Sequence, residues 1–154
     1  FTWEETRDSV YVRYQVDQKD GYEMTAQNRY CNGCFAAGIN FASSLISLFW
    51  GEGNYKETIK IGVLCGWDAD NPTATWGGLI GFMMGKKAIE KDFEQVFSDQ
   101  YNIHRTRQNF PNNGLDTFSN MAKKGIDIID NVVIKEIKGQ ITADSLYWLL
   151  PSSK

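Results

Sequence analysis

The stretch Gly66-Trp67-Asp68-Ala69-Asp70-Asn71-Pro72-Thr73-Ala74-Thr75, running into Trp76-Gly77-Gly78-Leu79-Ile80-Gly81, sets a loop directly against the start of a glycine-rich helix. Side chains two apart on a helix point to nearly opposite sides, so Asp68 and Asp70 converge on one point only if the segment that carries them is a loop. Pro72, with its fixed φ and no amide hydrogen, suits a first helical position. This predicts Asn71 as the N-cap and a helix over 73–85. Two unpaired carboxylates beside apolar helices are costly unless something cationic lies between them, and a hard divalent cation with oxygen ligands is the natural occupant. An aspartate before a helix also serves simply as a cap or a solvated loop residue, and the short motif alone does not separate these readings. An EF-hand starting at Asp68 fails, because its required Gly and Glu positions hold Thr73 and Leu79. A nucleotide-sugar transferase would need strands alternating with helices before the motif, and none are visible.

The rest of the chain reads mainly as helix. The 154 residues, 42% hydrophobic and 14% aromatic, suit one domain with a real core. Thr2-Trp3-Glu4-Glu5-Thr6 reads as a helix start, whereas Val10 to Val16 alternates like a strand. Residues 35–50 form an apolar helix carrying one polar stripe of Asn40, Ser43, Ser44 and Ser47, which faces either a polar cavity or a helix at close range. Asn54 with Glu57 makes a capping box for a helix over 56–65, with Ile59, Val63 and Leu64 predicted to face the core. Beyond the motif, Ala74, Gly78, Gly81 and Gly85 share one face, which predicts a close helix approach there. Residues 98–115 read as a loop. Phe118, Met121, Ala122, Ile126, Ile129, Val133 and Ile137 then recur at the helical period up to Gly139 in the C′ role. The tail, with Tyr147-Trp148-Leu149-Leu150, is apolar enough to dock.

Charge and cysteines narrow the function. A net charge of −3 and the absence of a basic stripe argue against binding a nucleic-acid backbone; the nearest candidate is His104-Arg105-Thr106-Arg107, which reads as solvated surface. No apolar run is long enough to span a membrane. Cys31-Asn32-Gly33-Cys34 has redox spacing but no preceding βαβ pattern, so a local disulfide or two buried thiols is the better reading. A zinc site would have only Cys65 and His104 as further ligands.

The run from Gly66 to Gly81 resembles the C-terminal signature of the ADP-ribosylglycohydrolase family, in which a Gly-x-Asp-x-Asp-Thr element precedes an alanine- and glycine-rich helix. The apolar segment 35–51, the turn Gly51-Glu52-Gly53-Asn54-Tyr55 and the helix 56–65 look like that family's approach to the motif. Gly85-Lys86-Lys87-Ala88-Ile89-Glu90 is similar to its Gly-x-x-Ala-Ile-Pro step, with Glu90 where proline is common. The likeness covers residues 31–139, about two-thirds of the chain.

The resemblance implies an all-α fold holding a pair of divalent cations, usually magnesium, that bind ribose hydroxyls during hydrolysis at the anomeric carbon of ADP-ribose. The two family aspartates fall on Asp68 and Asp70, and the family's threonine ligand falls on Asn71, a departure whose amide oxygen still suits a hard cation. Trp67 and Ala69 also replace common family residues. Trp67 is either an aromatic wall for substrate or a core filler, and Thr73 joins it as a candidate substrate contact. The family's remaining ligands and its acid or base belong to an N-terminal half with no counterpart in this sequence. The chain, starting at Phe1, is therefore expected to be the C-terminal half of a processed precursor, one helical domain or half-domain over 1–154 that an N-terminal chain completes. Such processing would suit an oxidising compartment, although no Asn-x-Ser/Thr glycosylation site supports it. Two functions follow: a metal-dependent hydrolase acting on an ADP-ribosyl or related ribosyl bond of a small molecule or modified protein, or a non-catalytic structural or ligand-binding relative on the same scaffold.

Overall fold

The computed structural model describes every residue except 27, 29, 104–107 and 153–154, so the His104 to Arg107 segment lies outside the described residues. The chain divides into two units, 1–96 and 97–154. The first is helical and carries the motif. Helix α1 (Trp3–Tyr11) opens with a full capping box: Thr2 Oγ1 accepts from the Glu5 amide at 3.2 Å and Glu5 Oε2 accepts from the Thr2 amide at 2.8 Å. It runs on into one π-type turn, Val12–Val16, so the strand-like alternation there is overridden. That wider turn leaves Gln15 buried.

Helix α2 (Ala37–Gly51) buries Asn40, Ser43 and Ser47. Its stripe faces a helix at close range, because the serine hydroxyls are satisfied at home: Ser43 and Ser44 donate to the Asn40 carbonyl at 2.9 and 2.8 Å, and Ser47 donates to that of Ser44 at 2.9 Å. Small side chains then let α3 (Tyr55–Cys65) approach, and a Cβ at its Gly62 would lie 3.6 Å from Ser47 Cβ. The chain leaves α2 through Glu52 in the left-handed region, and α3 starts where Asn54 Oδ1 accepts from the Glu57 amide at 3.0 Å. The inward face of α3 is Thr58, Ile61, Gly62 and Cys65. Val63 and Leu64, expected in the core, are exposed. The reason is that Gly51 abuts Thr58, which fixes the rotation of α3 as it leaves the turn. Ile46, Ile61 and Cys65 form the centre, with Trp3, Val10 and Trp67 packed against it.

Helix α4 (Asp70–Met84) is pinned by Trp76, whose Nε1 donates to the Ser44 carbonyl at 2.8 Å. Its packed glycines are Gly77 and Gly81, facing Tyr55, Ile59 and, after the turn at Gly85, Ile89 of α5 (Lys86–Phe93). Gly78 and Gly85, expected on the packed face with Ala74 and Gly81, meet nothing within 4 Å. Tyr55 and Ile59 thus meet α4 on the Gly81 edge of the predicted stripe, with Gly77 beside it.

The second unit departs from an all-helical expectation. Within residues 98–115, read as a loop, β1 (Gln100–Asn102) forms, and it pairs antiparallel with β2 (Leu115–Thr117), Gln100 opposite Thr117. Left-handed Asn112 and Asn113 with Gly114 make the turn feeding β2, which the sequence reading saw only as a break. Helix α6 (Phe118–Lys135) begins at Thr117, whose hydroxyl accepts from the Asn120 amide at 3.0 Å. Among its described residues only Val133 is buried, so most of the predicted apolar face is open. Lys138, not Gly139, takes the left-handed position after α6, and Gly139 instead lies under β4: a Cβ there would sit 2.6 Å from the Leu149 carbonyl oxygen. Strands β3 (Gln140–Ile141) and β4 (Trp148–Leu149) pair antiparallel, and Trp148 Nε1 reaches Asp130 Oδ1 at 2.8 Å.

Asp116 braces the start of α6. Hydrogen bonds from the Asn120 side chain and the Thr117 amide, with Lys124 at 3.5 Å, hold its carboxyl below the usual aspartate range. A lowered native value contributes stability above the ordinary aspartate value of about 4 and loses it as pH falls through the native value. Asp116→Asn is therefore expected to lower the thermal midpoint of this unit at pH 7 but not at pH 2. Trp148, the one tryptophan of residues 97–154, supplies the NMR indole signal that reads it.

Candidate metal centre

Gly66 ends α3 with φ 82 and ψ −148, a conformation that L side chains rarely adopt, and Trp67 follows at φ 53. These two residues reverse the chain so that Asp68 starts α4's approach. The helix begins earlier than the sequence predicts, at Asp70. Its N-cap is Ala69, which offers no side-chain bond, and Asn71 is inside the helix rather than capping it. Pro72 is accommodated because the first-turn amides have no helical partner in any case.

The early start brings the two carboxylates together. Asp68 lies in the turn and Asp70 at the first helical position, and their carboxyl groups are close enough to hydrogen bond when one is protonated. That contact, followed by burial and the charge of Asp70, raises the Asp68 carboxyl above its ordinary value, while the Asn71 amide opposes the rise. Asn71 Nδ2 donates to Asp68 Oδ2 at 2.6 Å. The backbone amide of Asp68 donates to Asn40 Oδ1 at 3.1 Å, so a buried residue of α2 orients the motif. Thr73 Oγ1 faces its own helix, 2.8 Å from the Ala69 carbonyl oxygen and 3.0 Å from that of Asp70.

Trp67 is tied on both sides. Its ring packs on the Ile46, Ile61 and Cys65 centre, and its Nε1 donates to Gln15 Oε1 at 2.8 Å. It also lines a cavity of about 340 Å³ with Arg7, Asp8, Tyr11, Gln15 and Cys65. Arg7 closes that side, pairing with Asp8 at 2.7 Å and lying 5.3 Å over the Trp3 ring. Burial pushes the Cys65 thiol up to about 11, so it is protonated at neutral pH and is not a ready nucleophile. Cys31 and Cys34 are joined in a disulfide.

Among the described residues no three His, Cys, Asp or Glu side chains gather as a metal cluster. The donors of Asp68, Asp70 and Asn71 suit a hard cation in kind but supply only part of a shell. Sequence reasoning missed Gln15 and the orienting role of Asn40. Each is an amide-bearing side chain among apolar neighbours, the signal that a buried polar group has a partner to find. No helix among the described residues is long and apolar enough to cross a membrane. The chain matches no protein-family model, no curated protein and no solved structure.

Proposed function

We propose that this chain is the C-terminal half of an ADP-ribosylglycohydrolase-like hydrolase, in which Asp68, Asp70 and Asn71 hold part of a divalent-cation site, probed below with manganese and magnesium. The observation that carries the reading is the convergence of the Asp68 and Asp70 carboxyls at the head of α4, where Asp70 raises the cost of ionising Asp68. When bound, magnesium would supply an electrophile for ribose hydroxyls and for charge developing at the anomeric centre. This chain's own residues hold and orient: Asn40 fixes the Asp68 backbone, Asn71 steadies its carboxylate, and Trp67 sets the turn. Thr73, the other substrate-contact candidate, supports the turn through its backbone bonds. The N-terminal chain of the proposal would supply the remaining ligands and the acid or base. It has apolar surface to meet on α4, where Phe82 is 89% and Met83 is 82% exposed.

The alternative, a non-catalytic structural or ligand-binding relative, rests on the Asn71 to Asp68 bond of 2.6 Å, which satisfies the pair internally in place of a metal. Titration with manganese, read as paramagnetic broadening of the 68–71 amide signals, tests the site. Broadening is expected there, reversed by magnesium, with affinity cut at least about a hundredfold in Asp68→Ala and Asp70→Ala, since even residues that merely orient ligands are worth 10–100-fold. No selective broadening would make the pair structural and remove the hydrolase reading. Where manganese binds, magnesium-dependent release of ADP-ribose by the native assembly separates enzyme from relative.

A further inference from the structure

The Cys31–Cys34 disulfide closes a four-residue ring in which Cys31, Asn32 and Gly33 carry φ of 44, 54 and 70. The ring is seated by Gly33, where a Cβ would lie 2.6 Å from the Met24 carbonyl oxygen. Two of its carbonyls face inward. That of Asn32 accepts from Gln15 Nε2, and that of Cys34 accepts from Asn40 Nδ2 at 2.7 Å. Each amide then uses its own oxygen on the motif: Gln15 Oε1 accepts from Trp67 Nε1 at 2.8 Å, and Asn40 Oδ1 accepts from the Asp68 amide at 3.1 Å. Gln15 and Asn40 are 6% and 9% exposed, so water competes poorly for these bonds. Two buried amides thus connect one small ring to two consecutive residues. One of them, Trp67, is left-handed and stays so only while its surroundings hold it.

We propose that the Cys31–Cys34 disulfide is a redox-sensitive latch: oxidised, it holds the Trp67-Asp68 turn through Gln15 and Asn40, and reduced by a dithiol, it releases that turn. Cys31 is exposed and open to attack. A thiolate of the reductant bonds to Cys31 Sγ, the Cys31–Cys34 bond breaks, and Cys34 leaves as a thiolate that takes a proton. The reductant's second thiolate then displaces Cys31, which also takes a proton, and the reductant ends as its own disulfide, having given up two electrons. Freed of the ring, Cys31 and Asn32 return to the right-handed or extended backbone that L residues prefer, and the carbonyls of Asn32 and Cys34 leave Gln15 and Asn40. The latch stands whether or not a cation binds at Asp68.

Hydrogen exchange followed by NMR at the Asp68 amide and the Trp67 indole N–H, assigned by its loss in Trp67→Phe, tests the latch without metal. Dithiothreitol, with complete reduction checked by alkylation and intact mass, is expected to speed both on the order of tenfold while amides inside α3 keep their rates. Oxidised Gln15→Ala, which cuts one arm and spares the sulfurs, is expected to speed the Trp67 indole by a similar factor. Rates within twofold of the oxidised wild type after reduction would overturn the proposal. So would equal acceleration throughout α3, which would make the disulfide a support of the whole fold.

Discussion

Gly51→Ala is expected to destabilise the first unit by about 3 kcal/mol, at the upper end for overpacking a close contact. A Cβ on Gly51 would lie 2.0 Å from Thr58 Oγ1 and 2.7 Å from Thr58 Cα. The hydroxyl can rotate away, but the Cα cannot, so α2 and α3 must separate where Ile46 and Ile61 share the core. Alanine's better helix propensity returns only about 1 kcal/mol. Urea unfolding of the variant measures the loss, and an unchanged midpoint would mean that the two helices part there at no cost. Thr58→Val at the same contact is expected to have the opposite sign. Among the described residues Thr58 Oγ1 is buried without a hydrogen-bond partner, so replacing it by a methyl group is expected to be neutral or to stabilise by up to about 1 kcal/mol. Gly53→Ala supplies the control for backbone strain alone. Gly53 sits at φ 80 with nothing within 4 Å, so its variant should lose only about 1 kcal/mol.

That pair of helices also shows where the sequence was legible. The serines of α2 could be placed on one stripe from spacing, and the structure adds only that they face a helix rather than a cavity. The cap at Asn54 was equally plain, being a local signal, but only that half of the expected box forms: the Glu57 carboxylate pairs with Lys60 and the Asn54 amide donates to the Gly51 carbonyl. The inward face of α3 was not, because periodicity gives a stripe but not its rotation, and Gly51 against Thr58 sets that rotation through a contact between helices. The same holds for α4, where Gly81 packs as expected but its companion is Gly77 rather than Gly78 or Gly85. In the second unit, three-residue strands carry too little pattern to announce themselves, and residues 100–102 and 115–117 pair across a connection whose last turn is Asn112 to Gly114. At the candidate site, the sequence pointed to Asp68 and Asp70 as a pair but placed both in a loop, whereas Asp70 opens α4, and Gln15 and Asn40 act 52 and 28 residues away in sequence. No short-range rule reaches them.

Trp67→Ala is expected to lose about 3 kcal/mol of the first unit's stability, near the lower end for removing an aromatic side chain, since the indole is only half buried. The loss has two parts that a second variant separates. Trp67→Phe keeps a ring against Ile46, Ile61 and Cys65 but removes Nε1, leaving Gln15 Oε1 buried without its donor, which costs about 1–2 kcal/mol. The difference between the variants is then the packing share. The Trp67→Phe loss itself should shrink if Gln15 is already alanine, because the hydrogen bond is then absent from both sides of that comparison. Urea unfolding of four proteins, the wild type and Trp67→Phe each with and without Gln15→Ala, gives the cycle. A side chain that served only as a wall over a ligand would behave otherwise: Trp67→Ala would stay within about 0.5 kcal/mol of wild type, as surface substitutions do, and its whole effect would fall on binding. The indole's contacts with the core argue for the larger loss, and with it for a tryptophan that holds the Asp68 turn in place from behind.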